Sequence, residues 1–350
     1  MKKEITINDI ARETGLSTAT ISKYLNNIKI REENRRIIEA AINRLGYHPN
    51  RSAQMLRSGR THTIGILISD LGNYFWGSLI GTISHFFAEH QYTVVTCSYN
   101  FNKEMEEQVI QDIISQSFEG IILLPFDDQD ISYRLLQRAG IPVVVLDQLP
   151  YHTGKYPVDC VLSDNYGGSA LLAEYLFQNG HRNIYILERS WHSYTVDQRI
   201  RAILDVYMEH GMDLARHVSA QTPIPFREGQ SVIDKGEERL RQVLSAPNPP
   251  TAIFFTNYLT AMGGLNALNS SGMQVPDDLS LVCFDYDPLF RAMHTSLACV
   301  AQDLTAIGTR ACELLMKRIS GDYSDFPATE IIDVQFHHGR SVRNISLLDQ

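Results

Sequence analysis

Carboxylate, amide and aromatic side chains follow several short apolar runs of the chain, and their types indicate a ligand-binding site. Aromatic rings stack on the apolar face of a small polyhydroxylated molecule, while Asp, Asn and Arg bind its hydroxyls. The positions concerned are Asp70 to Trp76, Pro125–Phe126, Asp147–Gln148, Asp164–Asn165, Glu188 to Thr195, Thr256 to Tyr258 and Asp285–Tyr286. An aspartate after a strand can also cap a helix or form a turn. For Asp70 and Asp164 both interpretations stay open.

The apolar runs alternate with amphipathic stretches, which predicts the elements that position these side chains. The runs include TIGILIS, EGIILLP, IPVVVLD and LSLVCFD. Helices are predicted at 74–90, 103–116, 165–180, 195–210, 228–245 and 258–270. Nearly continuous apolar strands between helices are typical of parallel sheets covered on both faces. Such units are too many for one compact sheet, so we expect two α/β lobes, with ligands at the carboxyl ends of the strands.

A different pattern occupies the first sixty residues. Thr6 with Asp9 forms a variant of the capping box that starts a helix, and Gly15 suits a tight turn after it. A second short helix is predicted from Thr18 onward, and a third at about Glu32–Leu45. Two short helices joined by a turn that contains glycine form a helix-turn-helix unit, which would extend over about Ile7–Asn26.

The second helix of this unit carries short polar side chains and a cation on its outer face. Thr18, Ala19, Ser22 and Lys23 lie there. Such side chains reach base edges and phosphates when a helix enters the major groove of DNA. The alternative is a small helical bundle that only packs on the larger domain. The cap, the glycine turn and the basic charge together favour DNA binding.

The charge distribution supports this division. Residues 1–60 hold 12 Lys and Arg against 6 Asp and Glu, a net charge of +6. The other 290 residues hold 19 against 34, a net charge of −15. A basic head on an acidic body indicates that the head, not the body, contacts a polyanion.

The segment ITINDIARETGLSTATISKYLNN resembles the N-terminal motif of the lactose-repressor (LacI/GalR) family of bacterial transcription regulators, and GYHPNRSAQMLRSGRT resembles its linker. The resemblance implies a linker that folds into a hinge helix when two subunits meet on DNA. Leu56 would wedge into the minor groove, with Asn50 and Ala53 on the same segment. A flexible linker is the alternative. One departure is Arg31, a poor cap for the third helix. The DNA-binding residues expected are Thr18, Ala19, Thr20, Ser22, Lys23, Asn50, Ala53 and Leu56.

The body resembles the effector-binding core of the same family, which shares its fold with periplasmic sugar-binding proteins. The resemblance implies two lobes, three crossings of the chain between them, and a ligand in the cleft. Tyr258 stands where the family commonly has Asp, and Ser193 stands near a position where purine-binding relatives have arginine. These departures argue against transferring any one relative's effector. The effector-binding residues expected are Tyr74, Phe75, Trp76, Asp147, Thr195, Arg199, Asn257, Asp285 and Gln302.

The predicted fold is therefore an N-terminal all-α helix-turn-helix domain plus an α/β two-lobed, periplasmic-binding-protein-like core. The helix-turn-helix domain is expected at residues 1–48, a hinge helix and linker at 49–62, and the core at 63–350. Within the core, one lobe is expected at about 63–161 and 292–323, and the other at about 162–291 and 324–345.

The protein is predicted to be a homodimeric DNA-binding transcriptional regulator, a repressor. A sugar or sugar derivative is predicted to control its affinity for near-palindromic operator DNA. Alternatives are a small-molecule receptor without operator function and an α/β enzyme. The fingerprints of Rossmann, P-loop and metalloprotease sites are missing, so no enzyme, cofactor or metal is predicted. The N-terminus lacks an apolar signal core and no run suits a membrane span, so a cytoplasmic location is expected. The five scattered cysteines are expected to be free thiols.

Overall fold

The computed structural model describes residues 5–25, 28–47, 60–72, 74–125, 131–150, 156–188, 193–220 and 231–346. The chain divides into two compact units, Met1–Thr61 and His62–Gln350. We refer to them as the head and the body.

The described residues of the head form three helices, α1 (Ile7–Thr14), α2 (Thr18–Leu25) and α3 (Glu32–Leu45). The Asp9 carboxylate accepts hydrogen bonds from the backbone N–H and the hydroxyl of Thr6, at 2.9 and 2.8 Å, so the expected cap is present. Gly15 ends α1 with a φ of 70°, a left-handed conformation that favours glycine. The three helices bury a small common core, made of Ile10, Ile21, Ile38, Ala41 and Tyr47.

The first lobe of the body, the N-lobe, is built on a six-stranded parallel sheet. Its strands, in their order across the sheet, are β2 (Thr93–Ser98), β1 (Thr63–Ile68), β3 (Gly120–Leu123), β4 (Val143–Leu146), β5 (Asp159–Ser163) and β11 (Thr329–Ile332). Its helices are α4 (Tyr74–Glu89), α5 (Lys103–Ser115), α6 (Ile131–Arg138) and α13 (Leu304–Ile319). Four of these strands are buried along almost their whole length, because helices pack on the sheet.

The second lobe, the C-lobe, repeats this architecture with one antiparallel edge strand. Its strands, in their order across the sheet, are β7 (Val218–Ala220), β6 (Ile184–Leu187), β8 (Ala252–Phe255), β9 (Ser280–Phe284), β10 (Ala298–Gln302) and β12 (Val334–His337), of which β12 runs antiparallel to β10. Its helices are α7 (Asn165–Gln178), α8 (Tyr194–Glu209), α9 (Leu214–His217), α10 (Val232–Leu244), α11 (Tyr258–Ser271) and α12 (Pro288–Ala292). Each sheet separates two clusters of buried apolar side chains.

The chain crosses between the lobes three times, as expected, but two crossings lie later than the sequence predicted. The predicted return to the N-lobe at 292 is wrong, because β10 pairs in parallel with β9 and keeps the chain in the C-lobe as far as Gln302. The predicted departure at 323 is also wrong, because β11 pairs with β5 of the N-lobe. The crossings therefore follow β5, β10 and β11.

Helix α13 and the strands after it were absent from the sequence prediction, although α13 helps to form the N-lobe core. Its Ile307, Ala311 and Leu315 are buried. The helix lies so close to β3 that a Cβ atom at Gly120 would be only 2.9 Å from the Leu315 side chain.

Four of the five cysteines are buried and all are free thiols, which confirms the prediction. Burial raises the pKa of Cys160, Cys299 and Cys312 to about 12.

Candidate DNA-binding surface and effector cleft

Helix α2 presents the polar side chains that were expected to meet DNA. Thr18, Ala19 and Lys23 are exposed, whereas Thr20 and Ser22 are half-buried. Ile21 on the opposite face is fully buried in the head core. The helix is therefore anchored by one face and open on the other, which is the arrangement that a helix in the major groove requires.

Capping and ion pairing fix the elements around α2. The Ser17 hydroxyl accepts a hydrogen bond from the Thr20 N–H at 3.2 Å, so it caps the helix. Arg44 near the end of α3 forms an ion pair with Glu13 of α1. Tyr24 of α2 donates a hydrogen bond to Glu39 of α3 at 3.1 Å. Burial and this carboxylate raise the pKa of the Tyr24 phenol, so the hydroxyl keeps its proton at neutral pH.

The start of α3 lacks a side-chain cap. Arg31 occupies the capping position with an extended backbone, and its side chain makes no capping hydrogen bond. This confirms the expectation that the residue is a poor cap. Asn26, at the predicted end of the helix-turn-helix, and the predicted hinge residues Asn50, Ala53 and Leu56 lie outside the described residues.

In the described part of the body, hydrogen bonds join the two lobes across the cleft. The Ser163 hydroxyl at the end of β5 donates to the side-chain oxygen of Gln302 at the end of β10. The Thr195 hydroxyl in α8 donates to the backbone carbonyl of Asp147 at 2.5 Å. The backbone N–H of Tyr74 donates to the Tyr258 hydroxyl at 3.2 Å. Hydrogen bonds between polar groups therefore connect the two walls of the cleft.

Arg199 is the cationic centre of the cleft. It is only 4% exposed. Its Nε donates to Asn165 at 2.8 Å, and its Nη1 donates to the carbonyl of Thr256 at 2.6 Å. Its guanidinium lies 3.8 Å above the centre of the Phe284 ring, within cation–π distance. These contacts place a positive charge in one position within a desolvated site, so its hydrogen bonds are stronger than in water.

Asp285 supplies the opposing charge. It follows β9 directly and has a φ of 105°, a left-handed conformation that costs energy for a residue other than glycine. Its Oδ1 accepts a hydrogen bond from Gln302 at 2.6 Å and lies 4.0 Å from Nη1 of Arg199. Its Oδ2 accepts from the Tyr258 N–H at 3.3 Å. The strained backbone thus aims the carboxylate at Arg199 and at the crossing strand.

The structure brings eight of the nine predicted effector-binding residues to one cavity of about 90 Å³ between the lobes. They are Phe75, Trp76, Asp147, Thr195, Arg199, Asn257, Asp285 and Gln302. Tyr74 is not among them; it lines a neighbouring cavity. Trp76 is 4% exposed and packs mainly into the N-lobe core. Whether these eight side chains contact an effector stays a prediction.

Several strand-end side chains cap helices or form turns. Asp164 accepts a hydrogen bond from the Gly167 N–H at 2.7 Å, and Asp70 accepts from the Gly72 N–H at 3.0 Å. The capping and turn interpretation therefore accounts for both. Asn257 caps α11 by accepting from the Thr260 N–H at 3.0 Å. Ser193 caps α8 in the same way. Trp191 and His192, which belong to the predicted segment Glu188 to Thr195, lie outside the described residues.

Four residues that hold the polar side chains of the cleft were not among the effector-binding residues expected from the sequence. They are Ser163, Asn165, Thr256 and Phe284. Asn165 and Thr256 did belong to the strand-end segments, which was the available signal. Ser163 and Phe284 are the last residues of buried strands, and no local pattern distinguishes them from core positions.

Within the described ranges, no cluster of three or more His, Cys, Asp or Glu side chains could hold a metal ion. No helix in the same ranges is both long and apolar enough to span a bilayer.

Comparison with known proteins agrees with this architecture. Residues 6–50 match the family described as bacterial regulatory proteins, lacI family, and residues 173–342 match the periplasmic binding protein-like domain. The HTH-type transcriptional repressor PurR of Histophilus somni (strain 129Pt) is 25% identical over 328 residues, covering 93% of this chain and 96% of that protein.

Two solved structures show the same fold. The lac repressor dimer bound to operator and the anti-inducer ONPF has a TM-score of 0.83 at 22% identity, and the match covers 97% of this chain and 100% of that chain. The complex of the transcriptional regulator CelR with cellobiose has a TM-score of 0.70 at 23% identity, with the same two coverages.

A helix-turn-helix head joined to a two-lobed, periplasmic-binding-protein-like body defines a DNA-binding regulator of transcription with a ligand-binding core. Its sequence matches cover the head and much of the body, and its structural matches cover nearly the whole chain. Residues 6–50 therefore belong to the lacI family of bacterial regulatory proteins, and residues 173–342 to the periplasmic binding protein-like domains.

Proposed function

We propose that the protein is a repressor that binds a near-palindromic operator as a homodimer. Its affinity for the operator falls or rises when an effector binds the body. The proposal rests on two features that occur in one chain. One is the exposed polar face of α2, and the other is the cleft that contains Arg199 and Asp285. Two-fold symmetry would place the two α2 helices in successive major grooves. Thr18, Ala19, Thr20 and Ser22 would face the bases, and Lys23 would bind phosphate.

For the effector, we propose a sugar or sugar derivative. Arg199, Asp285 and Gln302 present donors and acceptors within one cavity, and Phe75 adds an aromatic ring. Hydroxyl groups on both faces of a pyranose or furanose ring would satisfy such a set. The solved CelR complex contains cellobiose, which supports this ligand class.

The effector would act through the hydrogen bonds that join the lobes. A ligand that replaces the Thr195–Asp147 or Tyr74–Tyr258 hydrogen bond changes the balance between lobe arrangements. Operator affinity and effector affinity are then coupled reciprocally, typically by about 1–3 kcal/mol. The direction of the coupling, induction or co-repression, is decided by experiment.

We further propose that the protein binds its effector without chemical turnover and acts in the cytoplasm, where its operator would be. Arg199 and Asp285 hold each other and neighbouring polar groups, and their contacts account for the cleft without a catalytic role. Conversion of a bound sugar by the purified protein would contradict this part of the proposal.

The proposal is tested in two steps with the full-length protein. Selection from a random DNA library is expected to return a palindromic sequence, because a symmetric dimer reads two equal half-sites. A thermal-shift screen against sugars, sugar phosphates and purines is expected to return a sugar, since a ligand of the folded state raises the melting temperature. No DNA preference with or without these ligands would contradict the regulator role.

The expected hinge gives a separate prediction. Leu56→Ala should weaken operator binding at least tenfold, because a smaller side chain no longer wedges between base pairs and the bend costs more. Gel shift at fixed salt measures this effect, and effector binding to the body should not change. Met55→Ala is a matched control on the neighbouring position. Equal operator affinity in Leu56→Ala and the parent would contradict the wedge role.

A further inference from the structure

The carboxylate of Glu119 holds the chain at the point where the expected linker ends. His62 is the first residue of the body, and its backbone N–H donates a hydrogen bond of 2.7 Å to Oε1 of Glu119. The other carboxylate oxygen, Oε2, accepts a hydrogen bond of 3.1 Å from the Tyr92 hydroxyl. One side chain therefore joins the start of the body to the residue that precedes β2. We refer to His62, Tyr92 and Glu119 as the anchor.

The backbone at His62 is fixed by further contacts. Its carbonyl accepts a hydrogen bond of 2.8 Å from the Thr93 N–H, and the Glu119 N–H donates to the Thr63 carbonyl at 2.9 Å. The centre of the His62 ring lies 5.2 Å from that of Tyr92. His62 has a φ of 48°, a left-handed conformation that is uncommon for residues other than glycine. Such a conformation persists because the surrounding contacts determine it.

Two buried strands extend from the anchor to the effector cleft. β1 begins directly after His62, β3 begins directly after Glu119, and the two strands pair in parallel. At their other ends, Ser69 and Leu124 line the cavity around Arg199. The strands are buried along almost their whole length. Close-packed interiors transmit a displacement rather than absorb it, so the cleft and the anchor are mechanically connected.

Helix α13 makes a second connection between the same two places. It begins two residues after Gln302, which lines the cleft. Near its other end, Leu315 and Ile319 pack so closely on Gly120 that a Cβ atom there would lie 2.9 and 3.1 Å from them. Gly120 is the residue that follows Glu119. A shift of Gln302 therefore moves a packed helix against the strand that carries the anchor.

From this geometry we infer that Glu119 is a positioning residue through which the effector cleft controls the linker and, with it, the affinity for operator DNA. The inference rests on the proposed function and names the group that carries its coupling. Glu119 does not line the cleft, and it acts by fixing the backbone of His62. A fixed backbone lowers the entropy cost of ordering the linker on the operator. A lobe arrangement that displaces Gly120 loosens the anchor and raises this cost.

Operator binding by the full-length protein tests the role of Glu119. Fluorescence anisotropy at fixed salt measures the affinity for the palindromic duplex found by selection and for a random-sequence duplex of equal length. Glu119→Ala should lower the ratio of these affinities about tenfold, because hydrogen bonds to a charged group are lost at the end of the linker. Glu119→Gln should keep the parental ratio, since its amide can accept from the His62 N–H and donate to the Tyr92 oxygen. Glu104→Ala, at an exposed position on α5, is the matched control and should also keep the parental ratio.

A milder substitution keeps the test decisive if Glu119→Ala does not fold. Tyr92→Phe retains the ring and removes one hydrogen bond to the anchor carboxylate, so the affinity ratio should fall about threefold. A parental ratio in whichever of the two variants folds overturns the inference. An equal loss of affinity for both duplexes also overturns it, because that result indicates a general loss of structure. Glu119→Gln that is as impaired as Glu119→Ala does the same.

A double-mutant cycle tests the connection to the cleft without any sugar. Gln302→Ala removes the side chain that hydrogen-bonds to Ser163 and Asp285, so it should change operator affinity at least fivefold. In the Glu119→Ala or Tyr92→Phe background, the same substitution should have a clearly smaller effect. Independent, distant sites have effects that multiply to within about twofold. An equal effect in both backgrounds, or no effect in the parent, overturns the connection.

The parental protein separates this inference from the proposed function. No preference of the parent for any selected duplex over random DNA contradicts the proposed function, and the inference falls with it. A parent that prefers the operator, together with anchor variants that behave identically to it, counts against the inference alone.

Discussion

At the scale of single residues, the two charged side chains of the cleft are fixed in position by neighbouring polar groups. Arg199 is oriented by Asn165 and by the carbonyl of Thr256, and Asp285 is oriented by Gln302. Each of these contacts satisfies a buried polar group, which would otherwise cost about 1–3 kcal/mol. The site is therefore preorganised, so a ligand does not have to order these side chains when it binds.

Asp285→Asn tests this preorganisation. The substitution removes the negative charge 4.0 Å from Arg199 while it keeps a side chain that tolerates the positive φ. We expect the effector Kd to rise about 10- to 100-fold, because a hydrogen bond to a charged group contributes about 1.5–3 kcal/mol. Titration calorimetry with the sugar found in the thermal-shift screen measures the change. Asp277→Asn at an exposed position should leave the Kd unaltered, and an unaltered Kd in Asp285→Asn would refute the assignment.

At the scale of elements, helix ends and inter-strand segments determine local stability. His181 links the end of α7 to the C-terminal segment, because its ring contacts Thr251 at 2.9 Å and the carbonyl of Arg343 at 3.1 Å. The Tyr207 hydroxyl donates to the backbone carbonyl of the same histidine. Burial lowers the pKa of His181 to about 4. This histidine is therefore neutral in the folded protein at neutral pH.

A pH dependence of stability follows from His181. In the unfolded chain its pKa returns to about 6.5, so the unfolded state takes up a proton first as the pH falls. The contribution of neutral His181 to the free energy of unfolding is complete above about pH 6.5. It decreases towards pH 4, by up to about 1.4 kcal/mol per pH unit. Urea unfolding midpoints at neutral and acidic pH measure the slope. His181→Gln should flatten it, whereas His85→Gln, at an exposed position, should not. Equal slopes in all three proteins would exclude this role.

The start of α3 offers a stabilising change. Arg31→Ser supplies a hydroxyl that can accept a hydrogen bond from the backbone N–H of the first turn, which the arginine does not do. We expect a gain of about 1 kcal/mol. Hydrogen exchange at Glu33 and Asn34 should slow about fivefold. Arg31→Ala separates this effect from loss of charge, because it removes the guanidinium without adding a cap. If the serine and alanine variants exchange equally fast, the capping argument fails.

At the scale of the whole molecule, opposite charges are divided between two units. The first sixty residues carry a net charge of +6 and the remainder carries −15. DNA binding by the head releases counterions, so its affinity depends strongly on salt. The acidic body is repelled by nucleic acid and leaves contact with the operator to the head. The sequence alone shows this division of charge, because the net charge of a segment does not depend on the fold.

The salt dependence of operator binding tests the role of Lys23. Replacement by glutamine removes one phosphate contact per subunit, and each contact contributes about −0.9 to the slope of log K against log salt. For a dimer, Lys23→Gln should make the slope shallower by about two, measured by fluorescence anisotropy over a range of salt. Lys103→Gln in the body should retain the parental slope. A parental slope in Lys23→Gln would remove this residue from the phosphate contacts.

Most elements of this fold could be predicted from local pattern. The apolar periodicity of α1 to α3, the cap formed by Thr6 and Asp9, and the glycine turn are properties of neighbouring residues, and the structure has all of them. The buried strands were visible as apolar runs for the same reason. Helix α13 was not predicted, although its buried positions form one face of a helix that packs into the N-lobe core.

What the sequence by itself determined was the head, the two α/β lobes and the family, because caps, periodicity, charge and motif are written in adjacent residues. Only the tertiary structure decided which strand belongs to which lobe, since the pairing of β10 with β9 and of β11 with β5 joins distant segments. The same holds for the effector cleft. Phe75, Tyr258, Asp285 and Gln302 are far apart in the chain, and folding alone brings them together.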